Sequence, residues 1–316
     1  MKNIKIICTL GPSSFNKKIL NSLKKTKINI FRINLSHTNQ KDIKSKILYL
    51  KKNKIKNICL DTEGAQLRTT KTKKKYYLKK GVRIKVSNNE TISDNSIINL
   101  YPKFDIFSLN KNKIIEIGFN NLKLIVLNKH LEKNYLTCKV IQSGLLESNK
   151  GVHLNKNINL PALTKKDIFA LNLGKKMNIK YYAISFVNSF KDIDQVKKLT
   201  KSKDFIISKI ETKKALKDLK KISQRSNALL IDRGDLSRYI PIEEIPVIQE
   251  KIITNGKKNN TPVYVATNLL ENMIKNNEPT RAESNDVFST LKQGASGLVL
   301  AAETAIGENP IECVKF

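Results

Sequence analysis

Tryptophan is absent from the 316 residues, and histidine (three), methionine (three) and cysteine (four) are nearly as scarce. Cys8, Cys59, Cys138 and Cys313 lie far apart, with no CxxC pair and no histidine cluster beside them, so neither a zinc module nor a disulfide framework is indicated. A reducing cytoplasm suits such a chain. Long hydrophobic runs are also lacking. No stretch approaches the ~18 apolar residues of a membrane span, and the opening MKNIKIICTLGPSS is too short in its apolar part for a secretory signal. Arginine accounts for only seven of the 59 basic residues. The net charge is +32, yet the lysines run along the whole chain instead of gathering in one segment. A drift in composition toward Lys, Asn and Ile explains the charge, and a nucleic-acid partner is not expected.

What is present is rhythm. Eight short β-rich runs end in polar or Gly-bearing residues: Ile4 to Thr9, Ile28 to Ile33, Ile58 to Asp61, Tyr181 to Phe186, Phe205 to Ile210, Ala228 to Asp232, Pro262 to Thr267 and Gly297 to Ala301. Between most of them lie Lys-rich stretches with helical spacing, such as Asn16 to Lys25 and Lys213 to Ile222. Strand then helix, eight times over, predicts an α/β fold, a TIM (β/α)8 barrel. The rhythm breaks once, between Arg68 and Leu160, where Val82 to Val86, Lys113 to Ile117, Leu122 to Val126 and Tyr135 to Val140 alternate between Asn-rich turns. This predicts a small all-β lid domain inserted after strand 3, at 69–159, with the barrel at 1–68 and 160–316. Asn309 to Phe316 is short for a full outer helix.

Scarce arginines point to places where a planar fork is needed, as for phosphate or carboxylate. Arg32 opens a segment in which Arg32, Asn34 and Ser36 share a face if the strand continues. Arg68 follows Asp61-Thr62-Glu63-Gly64, Arg233 sits in Arg233-Gly234-Asp235, and Arg281 in Pro279 to Glu283. Lys209 and Glu211 are two apart at a strand end, so both project to one side. If that side is the barrel mouth, Glu211 can hold a divalent cation while Lys209 offsets charge on a substrate oxygen, and Asp235 after the next strand is a candidate second carboxylate.

Taken together, these residues resemble the pyruvate kinase family. The segments that carry the resemblance, in the family's order, are Ile7 to Ser14, Arg32 to His37, Leu60-Asp61-Thr62 with Arg68-Thr69, Lys150-Gly151-Val152, Leu160 to Thr164, Ile207 to Glu211, Arg233 to Leu236, Ala266-Thr267 with Leu270-Glu271, Pro279 to Glu283 and Glu303 to Ala305. The resemblance implies transfer of a phosphoryl group from phosphoenolpyruvate to ADP, giving pyruvate and ATP. It makes Glu211 and Asp235 ligands of Mg²⁺ or Mn²⁺, and Lys209 the neutraliser of the moving phosphoryl group. Arg32 and Arg68 become phosphate contacts. Gly234 joins the substrate-binding residues, and Thr267 stands near the enolate carbon. Pro12, Asn34, His37 and Lys150 become nucleotide contacts, and Asn34, Ser36, Asp61 and Thr62 oxygen ligands for K⁺. A homo-oligomer is compatible with the family.

Some residues depart from the family pattern. Gly118-Phe119-Asn120 stands where the family has Asp-Asp-Gly, and Glu63, Ala65 and Gln66 replace Lys, Pro and Glu. Asp232 replaces a small apolar residue and should repel phosphate unless it is turned away or paired, with Arg238 as the expected partner. The family's C-terminal domain has no counterpart here, so allosteric control through it is not expected. The alternative reading is a divergent or inactive relative with an altered nucleotide side, acting on another phosphate or 2-oxo acid ligand or serving as a binding protein.

Overall fold

Each of the eight predicted runs forms a strand in the computed structural model, which describes residues 4–64, 66–118, 121–154, 158 and 160–316. The strands are β1 (Lys5–Leu10), β2 (Ile30–Asn34), β3 (Ile58–Asp61), β4 (Tyr181–Ile184), β5 (Phe205–Ile210), β6 (Ala228–Asp232), β7 (Val263–Ala266) and β8 (Gly297–Leu300). All neighbours pair in parallel and the ring closes between β1 and β8. The fold is a TIM barrel.

The strand period of two sorts the side chains into two cores. Ile7, Ile30, Cys59, Ala183, Ile207, Ala228, Leu230, Tyr264, Ala266 and Val299 pack together as one cluster. Their neighbours in sequence, among them Cys8, Phe31, Leu60, Tyr182, Ile206, Leu229, Val265 and Leu300, join the helices in another. The first cluster is the barrel interior and the second the layer between strands and helices. Following the interior positions of β1 to β6 towards the strand ends leads from apolar residues to Thr9, Arg32, Asp61, Ser185, Lys209 and Asp232, all buried. Polar chemistry therefore collects at the C-terminal end of the barrel.

The first expected helix spans Lys17–Lys24, with Asn16 capping it by accepting from the Ile19 amide, and buries Leu20 and Leu23. The stretch read as one helix from Lys213 to Ile222 is two, Lys213–Lys217 and Leu219–Arg225. They part at Asp218, whose carboxylate accepts from the Phe190 amide at 3.0 Å. The final helix, Pro310–Lys315, buries Pro310, Cys313 and Val314. No helix among the described residues is long and apolar enough to cross a membrane.

The chain divides into two compact units, Met1–Gly64 with Ala162–Phe316, and Ala65–Pro161. The second unit holds a seven-stranded sheet ordered Val152–Leu154, Ile114–Ile117, Leu122–His130, Tyr135–Gln142, Arg83–Ser87, Ile97–Tyr101 and Arg68–Thr69, and a pair formed by Gly144–Leu146 and Tyr76–Leu78. Its own core includes Ile84, Val86, Ile98, Leu100, Ile115, Leu124 and Val140. Arg68 pairs with Tyr101 and Gly151 and so belongs to this unit. Phe119, Asn120 and Ala65, three of the departures noted above, lie outside the described residues.

Candidate active site

Strand register builds the site. Lys209 lies opposite Leu230 and Ile210 opposite Ile231, so the next rung sets Glu211 beside Asp232. Lys209 Nζ stands 2.8 Å from Glu211 Oε1, 3.5 Å from Asp232 Oδ2, 3.6 Å from Asp61 Oδ2 and 3.0 Å from the Ser185 hydroxyl. Arg32 donates from Nε to Asp61 Oδ2 at 2.5 Å and from Nη1 to the Thr9 hydroxyl at 3.0 Å. Glu211 Oε2 accepts from the Phe186 amide at 2.6 Å. Phe186 has φ +52°, outside the strand expected to contain it, and Asn188 steadies it by donating to its carbonyl.

Charge burial sets the protonation of this group. Burial works against the Lys209 ammonium, but Asp61, Glu211 and Asp232 outweigh it and push its pKa up. Burial raises Glu211 to about 8, with Lys209 offsetting only part of the effect. Burial also opposes the Asp232 carboxylate, yet Lys209 and Arg32 hold its pKa below the usual carboxylate range.

The expected partner of Asp232 is corrected. Arg238 lies 3.4 Å from Asp235 Oδ1, and Asp232 faces Lys209 instead. The reason is the strand end. β6 stops at Asp232, and Asp235 comes one turn later in the short helix Arg233–Leu236, so Asp232 is an interior-facing strand residue. Ser36 is likewise not on the strand face with Arg32. β2 ends at Asn34, whose side chain accepts from the Ser36 amide and starts the turn Leu35–His37. Thr267 lies beyond β7 at φ +70°, accepts from the Gly234 amide at 2.9 Å and donates to the Ala266 carbonyl at 2.6 Å.

Residues 1–314 match the family model for the pyruvate kinase barrel domain. The chain belongs to the pyruvate kinase family. It is 32% identical to a pyruvate kinase of Sporosarcina psychrophila over 100% of this chain and 56% of that protein. With a pyruvate kinase of Thermotoga maritima it shares 33% identity over 100% of this chain and 69% of the relative. A Nicotiana tabacum protein named pyruvate kinase isozyme G, chloroplastic, is 32% identical over 99% and 57%. The chain thus spans about 56–69% of the length of these relatives.

Set against the family pattern, Arg32, Asp61, Lys209, Glu211 and Asp235 meet in one place, with Gly234 and Thr267 joined to them through the Arg233–Leu236 turn. Glu211, Asp232 and Asp235 each offer a carboxylate oxygen within 4.8 Å of the others. Glu211 Oε1 is buried without a hydrogen-bond partner among the described residues, its contact with Lys209 being an ion pair. Hard oxygen donors so gathered fit Mg²⁺ or Mn²⁺. The K⁺ set is more committed: Thr62 has its hydroxyl and carbonyl engaged by Ser185, and Asp61 is bound to Arg32. Pro12 and His37 are exposed. Arg68 and Lys150 lie in the second unit, where Arg68 donates to the Asn149 carbonyl and Lys150 pairs with Glu147 at 3.0 Å. Arg281 is exposed in the first turn of a helix capped by Thr280 and Glu283. Thr9 and Ser185 escaped sequence reasoning, although both continue the period-two interior face.

Proposed function

We propose that the chain transfers the phosphoryl group of phosphoenolpyruvate to ADP, giving pyruvate and ATP. The observation that carries this reading is the buried convergence of Arg32, Lys209 and Glu211 with Asp235 at the barrel's C-terminal end in a pyruvate kinase family member. A divalent cation held by Glu211 and Asp235 would polarise substrate oxygens and offset their charge. Lys209, kept protonated by its carboxylate neighbours, offers a fixed positive charge to the phosphoryl oxygens, and Arg32 adds a second. Arg68 is assigned to phosphate, and Pro12, Asn34, His37 and Lys150 to the nucleotide, by correspondence with the family. K⁺ is assigned to Asn34, Ser36, Asp61 and Thr62.

In the reaction the bond from phosphorus to the enol oxygen breaks as a terminal oxygen of ADP bonds to phosphorus. The enolate carbon then takes a proton that originates in solvent, relayed through the Thr267 hydroxyl, which the Gly234 amide positions and which regains a proton from solvent in the same exchange. A coupled assay following pyruvate with Mg²⁺, ADP and phosphoenolpyruvate tests the proposal. Turnover supports it, and no turnover from folded protein with and without K⁺ overturns it.

A further inference from the structure

The proposed reaction makes no use of Asp167, a fully buried carboxylate. Its oxygens are taken by backbone amides. Oδ1 accepts from Glu63 at 2.9 Å, and Oδ2 accepts from Gly64 at 3.1 Å and from Thr164 at 3.0 Å. Only the Thr164 bond belongs to the capping box of the helix Lys165–Lys176. The other two hold the turn that follows β3. Gly64 in that turn is buried at φ +68°, and its α-carbon lies so close to the segment after β4 that a methyl on it would stand 2.7 Å from Phe186 Cδ2 and 2.9 Å from Ser185 Cβ. Both neighbours serve the site. Ser185 accepts from Lys209 Nζ at 3.0 Å, and the Phe186 amide donates to Glu211 Oε2 at 2.6 Å. Phe186 makes that bond at φ +52°, a conformation that a residue with a side chain keeps only when its surroundings impose it. Gly64 against its ring and Asn188 on its carbonyl are those surroundings. All of these residues lie in the barrel unit.

We propose that Asp167 is a positioning residue for the reaction: by clamping the Gly64 backbone it fixes Ser185 and Phe186, and through them the Lys209 ammonium and the Glu211 carboxyl group. The inference rests on the reading of the site given above. Its physical basis is close packing. Atoms in van der Waals contact leave no slack between them, so a small shift of Gly64 passes on to the Phe186 amide. Lys209 and Glu211 meet the charge that develops during transfer, whereas Arg32 is held separately by Asp61 and Thr9. Loosening the clamp therefore lowers kcat and leaves the KM for phosphoenolpyruvate nearly unchanged.

The test compares Asp167→Asn, Gly64→Ala and Thr164→Ala in the full chain. Asn offers one acceptor oxygen, so at least one amide loses its partner. Gly64→Ala presses on Phe186 from the other side of the same contact. Thr164→Ala removes the hydroxyl that accepts from the Asp167 amide at 3.1 Å, which weakens the helix cap and leaves the clamp in place. Asp167→Asn and Gly64→Ala should each lower kcat on the order of tenfold. Each should also speed hydrogen exchange of the Phe186 amide on the order of tenfold relative to that of Val265 within β7. Thr164→Ala should lower the urea midpoint and keep kcat and Phe186 exchange at wild-type values. Wild-type kcat and Phe186 exchange in Asp167→Asn overturn the inference, as does an equal loss of kcat in Thr164→Ala. If Asp167→Asn does not fold, Gly64→Ala decides by the same two readings. Absence of turnover in the wild type removes the proposed function, and Phe186 exchange in the variants then decides the clamp on its own.

Discussion

Two nitrogens of Arg233 converge on one acceptor, the carbonyl oxygen of Thr267, with Nε at 3.0 Å and Nη2 at 2.6 Å. The same guanidinium reaches the Asn268 carbonyl and pairs with Asp286 at 2.8 Å. Thr267 and Asn268 both have positive φ, a conformation that costs a residue with a side chain about 1–3 kcal/mol and persists only when its surroundings impose it. Arg233 is thus a positioning residue for the Thr267 hydroxyl. Arg233→Lys loses the fork, and kcat should fall on the order of tenfold with little change in the KM for phosphoenolpyruvate. Steady-state kinetics check this, and a change in KM alone would contradict it.

Lys209→Met removes the ammonium that stands among Asp61, Glu211 and Asp232. Turnover should vanish, and stability should drop by about 3–5 kcal/mol because buried carboxylates lose their counter-charge. Urea denaturation measures the drop. Mn²⁺ should still bind, and should restore part of the lost stability.

Glu303 makes stability depend on pH. It is buried, its Oε2 accepts from the Ala301 amide at 3.0 Å, and its Oε1 has no hydrogen-bond partner among the described residues. Burial raises its pKa above the usual carboxylate value. An acid with a raised pKa holds its proton more tightly when folded. Its contribution is therefore complete below the unfolded value of about 4.3 and is lost as pH rises through the folded pKa. Glu303→Gln escapes that loss. The urea midpoint of the variant relative to wild type should rise as pH increases above about 4.3.

Lys54 follows the helix Ile43–Lys52 at φ +61° and is exposed. Glycine adopts this conformation without the clash that a Cβ meets. Lys54→Gly should add about 0.5–1 kcal/mol in urea denaturation, with activity unchanged.

The barrel strands were legible because each is a compact β-rich run separated from the next by a helical period. In the inserted unit, strands as short as Arg68–Thr69 and Val152–Leu154 escaped, since two or three residues carry no detectable period. Lys209, Glu211 and Asp235 were legible as chemistry near strand ends. Asp232 was legible only as an anomaly. Its partner depends on where β6 stops and on the register that sets it beside Glu211, and neither is encoded in local spacing. The roles of Thr9 and Ser185 likewise emerge only when the ring brings β1 beside β2 and β4 beside β3 and β5.

The pairing of β1 with β8, Lys5 opposite Gly297 and Cys8 opposite Leu300, has a consequence for biosynthesis. A nascent polypeptide leaving the ribosome keeps one edge of its first strand bare until the eighth has been translated. If elongation stalls after β7, two open edges face the crowded interior of the cell, each able to recruit a stray strand. Chaperone dependence in this protein should therefore track the delay before the seam is sealed.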